Sequence, residues 1–147
     1  MFVKRNLTDF VETRSGTMYF EKHGSGFPVV LLHPLGMSTW VWKDVIPELS
    51  NSFTVYAFDM LGHGKSDKPS ITFSIPDYAE ALDDACQILN IHRAHFIGNS
   101  VGACLAAEMA ANYPDRIDKL GLVGCPVYTV QEASARLIGS QVDFDSQ

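Results

Sequence analysis

No apolar run in these 147 residues approaches the roughly 20 that a membrane helix needs. The longest candidate, Val101 to Ala111, is interrupted by Glu108. The opening residues, Met1-Phe2-Val3-Lys4-Arg5-Asn6, lack the apolar core of a signal peptide. Cysteine is scarce: Cys86, Cys104 and Cys125 stand far apart, and no C-x-x-C pair signals a metal or redox site. Two of the three fall in apolar patterns and read as small buried hydrophobes. A reduced, cytoplasmic setting fits this usage. Lys and Arg are scattered and the formal net charge is -6, which argues against a nucleic-acid surface. Low-complexity stretches and internal repeats are absent. Histidine is missing after His95: His23, His33, His63, His92 and His95 are all five.

What is present suits a globular domain, with 46% hydrophobic and 19% charged residues. Phe10–Thr13 and Thr17–His23 read as a hairpin around Ser15-Gly16. Pro28–Leu32, Phe53–Phe58, Ala94–Gly98 and Ile117–Val123 are short apolar runs that read as buried strands. Trp40–Leu49 reads as one short helix despite Pro47. Ser74 as N-cap, Pro76 and Asp77 in the first turn, and Ile75, Tyr78, Ala79, Leu82, Cys86 and Leu89 on one face predict a helix that Asn90 ends. Val101–Tyr113 is an alanine-rich helix closed by Pro114. Thr129–Ile138 starts a further helix, and the tail is polar. Buried strands alternating with helices predict an α/β fold. It has a mostly parallel sheet with an N-terminal antiparallel hairpin and helices on both faces.

Three motifs fall where such sheets concentrate chemistry, at the carboxyl ends of strands. Gly98-Asn99-Ser100-Val101-Gly102 joins a strand to a helix. A nucleophile on a strained turn needs small neighbours, and the helix start at Val101 offers a backbone N–H and a positive dipole end. The same five residues would also serve a helix-capping serine between two packing glycines. His33-Pro34-Leu35-Gly36 follows an earlier strand, either as an oxyanion loop or as a plain connection. Asp59-Met60-Leu61-Gly62-His63-Gly64-Lys65-Ser66-Asp67 follows the next strand. Gly64-Lys65-Ser66 is not a phosphate loop, because Asp59 stands where that motif needs glycine. Gly24 and Gly26 precede their strand, against a dinucleotide fingerprint. His92 and His95 lie on a helix-to-strand turn with no third ligand in view. Trp40, Trp42, Phe27, Phe53, Phe58 and Phe96 read as core or site lining.

In this order and at this spacing the motifs resemble the α/β-hydrolase family, over roughly Val11 to Val127. The resemblance implies Ser100 as nucleophile and the N–H groups of Leu35 and Val101 as oxyanion donors. Pro34 stands where most members have glycine, which reshapes that loop. Asp59, Gly62, Gly64 and Ser66 would organise the neighbouring loop, with His33, Gly36 and Asn99 also at the site. A serine nucleophile argues against the dehalogenase and epoxide-hydrolase branches. Gly98-Asn99-Ser100 is also similar to the elbow of hydrolases that cleave carbon–carbon bonds in ring-fission products, and esterases and lactonases share it. The implied substrate is a small molecule with an ester, lactone or related carbonyl, and no cofactor, metal or membrane partner is implied.

The family's acid and histidine follow the serine in chain order, and this sequence supplies neither. Asp143 and Asp145 read as solvated acids, and Pro126 occupies a second acid position known in some members. His33 and His63 are the only histidines on loops near the site that could substitute as base. Residues 1–126 correspond to the N-terminal part of the hydrolase core, and 127–147 to the start of a lid domain or a disordered tail. The family's last strands are missing, which leaves 117–123 as a sheet edge open to pairing, a homo-oligomer included. The chain reads as a fragment of a longer hydrolase. The other readings are an inactive truncated module that binds a small molecule, and one completed by partner chains.

Overall fold

The computed structural model describes residues 7–132. Six strands form one sheet: β1 (Leu7–Thr13), β2 (Gly16–His23), β3 (Phe27–Leu32), β4 (Phe53–Phe58), β5 (Ala94–Asn99) and β6 (Ile117–Val123). Their spatial order is β1-β2-β4-β3-β5-β6. The first two strands form the expected hairpin, with Thr13 opposite Gly16, and β2 runs antiparallel to β4. From β4 onward all neighbours are parallel. The α-helices are α1 (Ile46–Leu49), α2 (Ile75–Ile88) and α3 (Val101–Asn112).

Period-two alternation divides the central strands between two cores. Val30, Leu32, Tyr56 and Phe58 face α2 and α3 and pack with Leu82, Cys86, Leu105 and Met109. Val29, Leu31, Val55 and Ala57 face the opposite layer and pack with Trp42 and Ile46. Each fully buried Leu or Phe contributes about 1.5–3 kcal/mol, so these central strands anchor the sheet. Helix α2 starts as predicted. The Ser74 and Asp77 side chains each bond the other's backbone N–H, and Asn90 beyond its end has φ 56°.

Three expectations need correction. The segment Trp40–Leu49 is not one helix: Thr39–Trp42 is a single 3-10 turn, and α1 restarts at Ile46. Pro47 has no N–H and is tolerated only in a first helical turn, so the helix begins just before it. Strand β6 is not buried. It pairs only with β5 at the sheet edge, and Leu120, Leu122 and Val123 are exposed. Of the cysteines, only Cys86 is buried, whereas Cys104 and Cys125 are half-buried. Helical residues do begin at Val130 behind a Thr129–Glu132 capping pair. The rest of that predicted helix, with Asp143 and Asp145, lies outside the described residues. Among the described residues, no helix is long and apolar enough to cross a membrane.

Candidate active site

Ser100 sits between β5 and α3 with φ 57° and ψ -119°, a conformation costly for any residue with a side chain. Two contacts hold it there. The Ser100 N–H donates to the Val123 carbonyl at the end of β6 (2.9 Å), and its own carbonyl accepts from the Ala103 N–H (2.9 Å). The flanking glycines are demanded by close packing. A Cβ on Gly98 would stand 2.0 Å from the Gly102 carbonyl oxygen. A Cβ on Gly102 would stand 2.2 Å from that of Leu32 and 2.7 Å from that of His33. The helix start is thus pressed against the end of β3, where the His33–Gly36 loop begins. Ser100 is half-buried and its side chain makes no capping bond to α3, against the reading of a helix-capping serine.

Glycine at position 100 would adopt this conformation without the side-chain penalty. Ser100→Gly is therefore expected to raise unfolding stability by about 1 kcal/mol, strain relief exceeding the added unfolded-state entropy. Ser100→Ala keeps the strain. Urea unfolding of the three proteins checks this, and equal stability for the Gly and Ala variants would show that no strain is stored.

The loop after β3 is fixed by a buried histidine. His33 is fully buried, and its Nε2 accepts from the Met60 N–H (3.0 Å). That acceptance places the proton on Nδ1, which donates to the Pro34 carbonyl (2.7 Å). Burial pushes the imidazole below its ordinary pKa; the Pro34 bond opposes this and nearby His63 reinforces it. His33 is thus a neutral strut between two loops. His63 packs against it with ring centroids 5.0 Å apart, and its Nδ1 faces the Leu61 carbonyl (3.1 Å). Leu35 is 62% exposed on the tip of its loop, beside Gly36 with φ 73°. Among the described residues, neither the Leu35 nor the Val101 N–H has a hydrogen-bond partner.

Asp59 organises the loop after β4. It is buried, one carboxylate oxygen accepts from the Thr39 N–H (2.7 Å) and the other from the Lys65 N–H (2.8 Å). Its carbonyl accepts from the Ser66 hydroxyl (2.6 Å), and that hydroxyl oxygen accepts from the Tyr19 N–H (2.8 Å). Gly62 and Gly64 both have positive φ within this loop. Asn99 is half-buried beside the turn at Gly124, opposite Val123 in the β5–β6 register. Sequence reasoning missed the Val123 carbonyl, Thr39 and Met60 as supports, because each acts through a tertiary contact that no local pattern signals.

The other singled-out residues lie elsewhere. His92 is exposed on the turn before β5. His95 packs against the Phe27 and Phe53 rings and lies 3.2 Å from Asp118. Trp42 is core, whereas Trp40 is 65% exposed.

The chain belongs to the α/β-hydrolase family: the family model described as alpha/beta hydrolase fold matches residues 28–142. An uncharacterized protein of Mycobacterium tuberculosis is 38% identical over 130 residues, which cover 82% of this chain and 38% of the relative. The 2-hydroxymuconate semialdehyde hydrolase of a Pseudomonas species is 34% identical over 105 residues, 69% of this chain and 37% of that protein. The solved structure of a meta-cleavage product hydrolase from Pseudomonas fluorescens is similar at TM-score 0.73 and 29% identity. That likeness covers 76% of this chain and 43% of the other. The chain spans about two fifths of the length of the curated relatives it matches.

Proposed function

We propose that this chain carries the nucleophile half of a serine hydrolase acting on a small ester, lactone or related carbonyl substrate, carbon–carbon cleavage included. The observation that carries the reading is Ser100: a serine held at φ 57° on a strand-to-helix turn, with glycines that permit the packing around it. In this reading the Ser100 hydroxyl attacks the substrate carbonyl and the oxyanion is received by the N–H groups of Leu35 and Val101. Asp59 holds the adjoining loop through the two backbone N–H groups that its oxygens accept.

In this reading the general base is the histidine that follows the nucleophile in the family's chain order. His33 is unfit for the role because both its nitrogens are engaged and burial favours its neutral form. The exposed apolar edge of β6 is where further sheet, or another copy of the chain, would pair. The carbon–carbon reading rests on the Gly98-Asn99-Ser100 elbow and on the likeness to the two hydrolases named above.

A serine-directed fluorophosphonate tests the assignment. The protein carried on its complete reading frame is expected to be labelled on Ser100, and Ser100→Ala is expected to lose the label. Equal labelling of the Ala variant, or none of the parent protein, would remove Ser100 from the role. A 147-residue chain that folds but shows no turnover would fit the alternative of an inactive binding module for the isolated chain. Turnover dependent on Ser100 would exclude that alternative.

A further inference from the structure

The three cysteines are unalike once folded. Cys86 is sealed in the core on α2, and burial pushes its thiol up to about 12. Cys104 lies on the first turn of α3, four residues after Ser100. Cys125 follows β6, two residues after the Val123 carbonyl that accepts the Ser100 N–H. The parallel pairing of β5 with β6 returns the chain to the elbow, with Asn99 opposite Val123. The turn at Gly124 (φ 56°) then leads Cys125 and Pro126 toward the start of α3. There the Cys104 thiol reaches the carbonyl of Pro126, the residue next to Cys125 in the chain (Sγ to O 3.8 Å). Both residues are half-buried, so small reagents have access that Cys86 denies them.

We propose that Cys104 and Cys125 are a reversible dithiol pair beside the nucleophile elbow, closing to an intramolecular disulfide on exchange with a low-molecular-weight disulfide. The Cys125 thiolate, on the segment after the strand, attacks one sulfur of the external disulfide and expels its first thiolate. The Cys104 thiolate then attacks the Cys125 sulfur of that mixed disulfide and expels the second. The two cysteines lose two electrons and two protons, and the external disulfide is reduced to two thiols. Burial and the neighbouring Cys125 hold the Cys104 thiol above its ordinary pKa, so closure accelerates with rising pH. The bridge would tie α3 to the segment whose Val123 carbonyl holds Ser100, stiffening one flank of the elbow without touching its hydroxyl. The inference is independent of whether Ser100 is the nucleophile.

Oxidised glutathione is the probe. The reduced protein is incubated with it under native conditions, quenched in acid, digested and examined by mass spectrometry. The expected product is a monomer with a Cys104–Cys125 linked peptide and Cys86 still a free thiol, reversed by dithiothreitol. The oxidised protein should also melt on the order of 5 °C higher, because the bridge closes a loop in the unfolded chain. Cys104→Ser should stop at a glutathione adduct on Cys125 and lose the melting shift. Glutathione adducts without the linked peptide, cross-linked dimers in its place, or no reaction of either thiol would each overturn the proposal. So would a linked peptide that leaves the melting temperature unchanged.

Discussion

Gly102→Ala is expected to destabilise the domain by about 3 kcal/mol or more, enough to leave a large fraction unfolded at 37 °C. The added methyl would stand 2.2 Å from the Leu32 carbonyl oxygen and 2.7 Å from that of His33. Neither can yield cheaply. Leu32 ends a strand paired on both sides, with Phe58 and with Gly98. His33 is pinned at both ring nitrogens. The helix would have to lift from the sheet and take the Leu105, Ala106 and Met109 packing with it. Gly98→Ala should behave alike, since its methyl would meet the Gly102 carbonyl oxygen at 2.0 Å. Gly36 is the control. No atom lies within 4 Å of a Cβ there, so Gly36→Ala carries only the cost of its positive φ, about 1–2 kcal/mol. Urea unfolding followed by circular dichroism measures all three. A Gly102→Ala protein as stable as the Gly36→Ala protein would mean that the helix is not seated on β3 as described.

Acid should weaken the fold through His33, and His33→Leu should both destabilise it and remove that pH dependence. Burial lowers the folded-state pKa of His33 below the unfolded value of about 6.5. The unfolded chain therefore binds a proton that the folded chain resists. Stability from this group is complete above about pH 6.5 and is lost as pH falls from there through the folded pKa. The slope approaches about 1.4 kcal/mol per pH unit for one proton. In His33→Leu the buried Met60 N–H loses its partner, at about 1–3 kcal/mol, whereas the Pro34 carbonyl keeps the Met37 N–H (3.2 Å). The difference between the stability–pH curves of the two proteins reads the effect of position 33. A variant whose curve runs parallel to the parent between pH 5 and 7 would show that position 33 does not resist protonation.

Much of the fold was legible locally. Val29 to Leu32 and Val55 to Phe58 are buried in the centre of the sheet, where uninterrupted apolar runs belong. The Ser74, Pro76 and Asp77 start of α2 was readable because capping spans three residues. The elbow pentad was readable because its glycines are adjacent to its serine. Failures came where the deciding partner is distant in sequence or missing from the sheet. Ile117–Val123 has the composition of a buried strand and is exposed, because it lies at the sheet edge that the resemblance to the family implied for it. Trp40–Leu49 has helical composition, yet Pro47 sets where its α-helix can start. Histidine in an H-P-L-G loop suggests chemistry, whereas Met60 and Pro34 make it a strut.

The amino-acid pattern alone determined the order of strands and helices, the placement of three loops at strand ends and the strained serine among them. These are properties of neighbours in the chain, expressed through periodicity, capping and glycine. Tertiary structure decided which groups are available. It set both oxygens of Asp59 and both nitrogens of His33 on backbone partners, left the Leu35 and Val101 N–H groups without a described partner, and brought the Cys104 thiol to the Pro126 carbonyl across 22 positions. Availability depends on desolvation and on hydrogen bonds between segments far apart in sequence, which only the folded chain brings together.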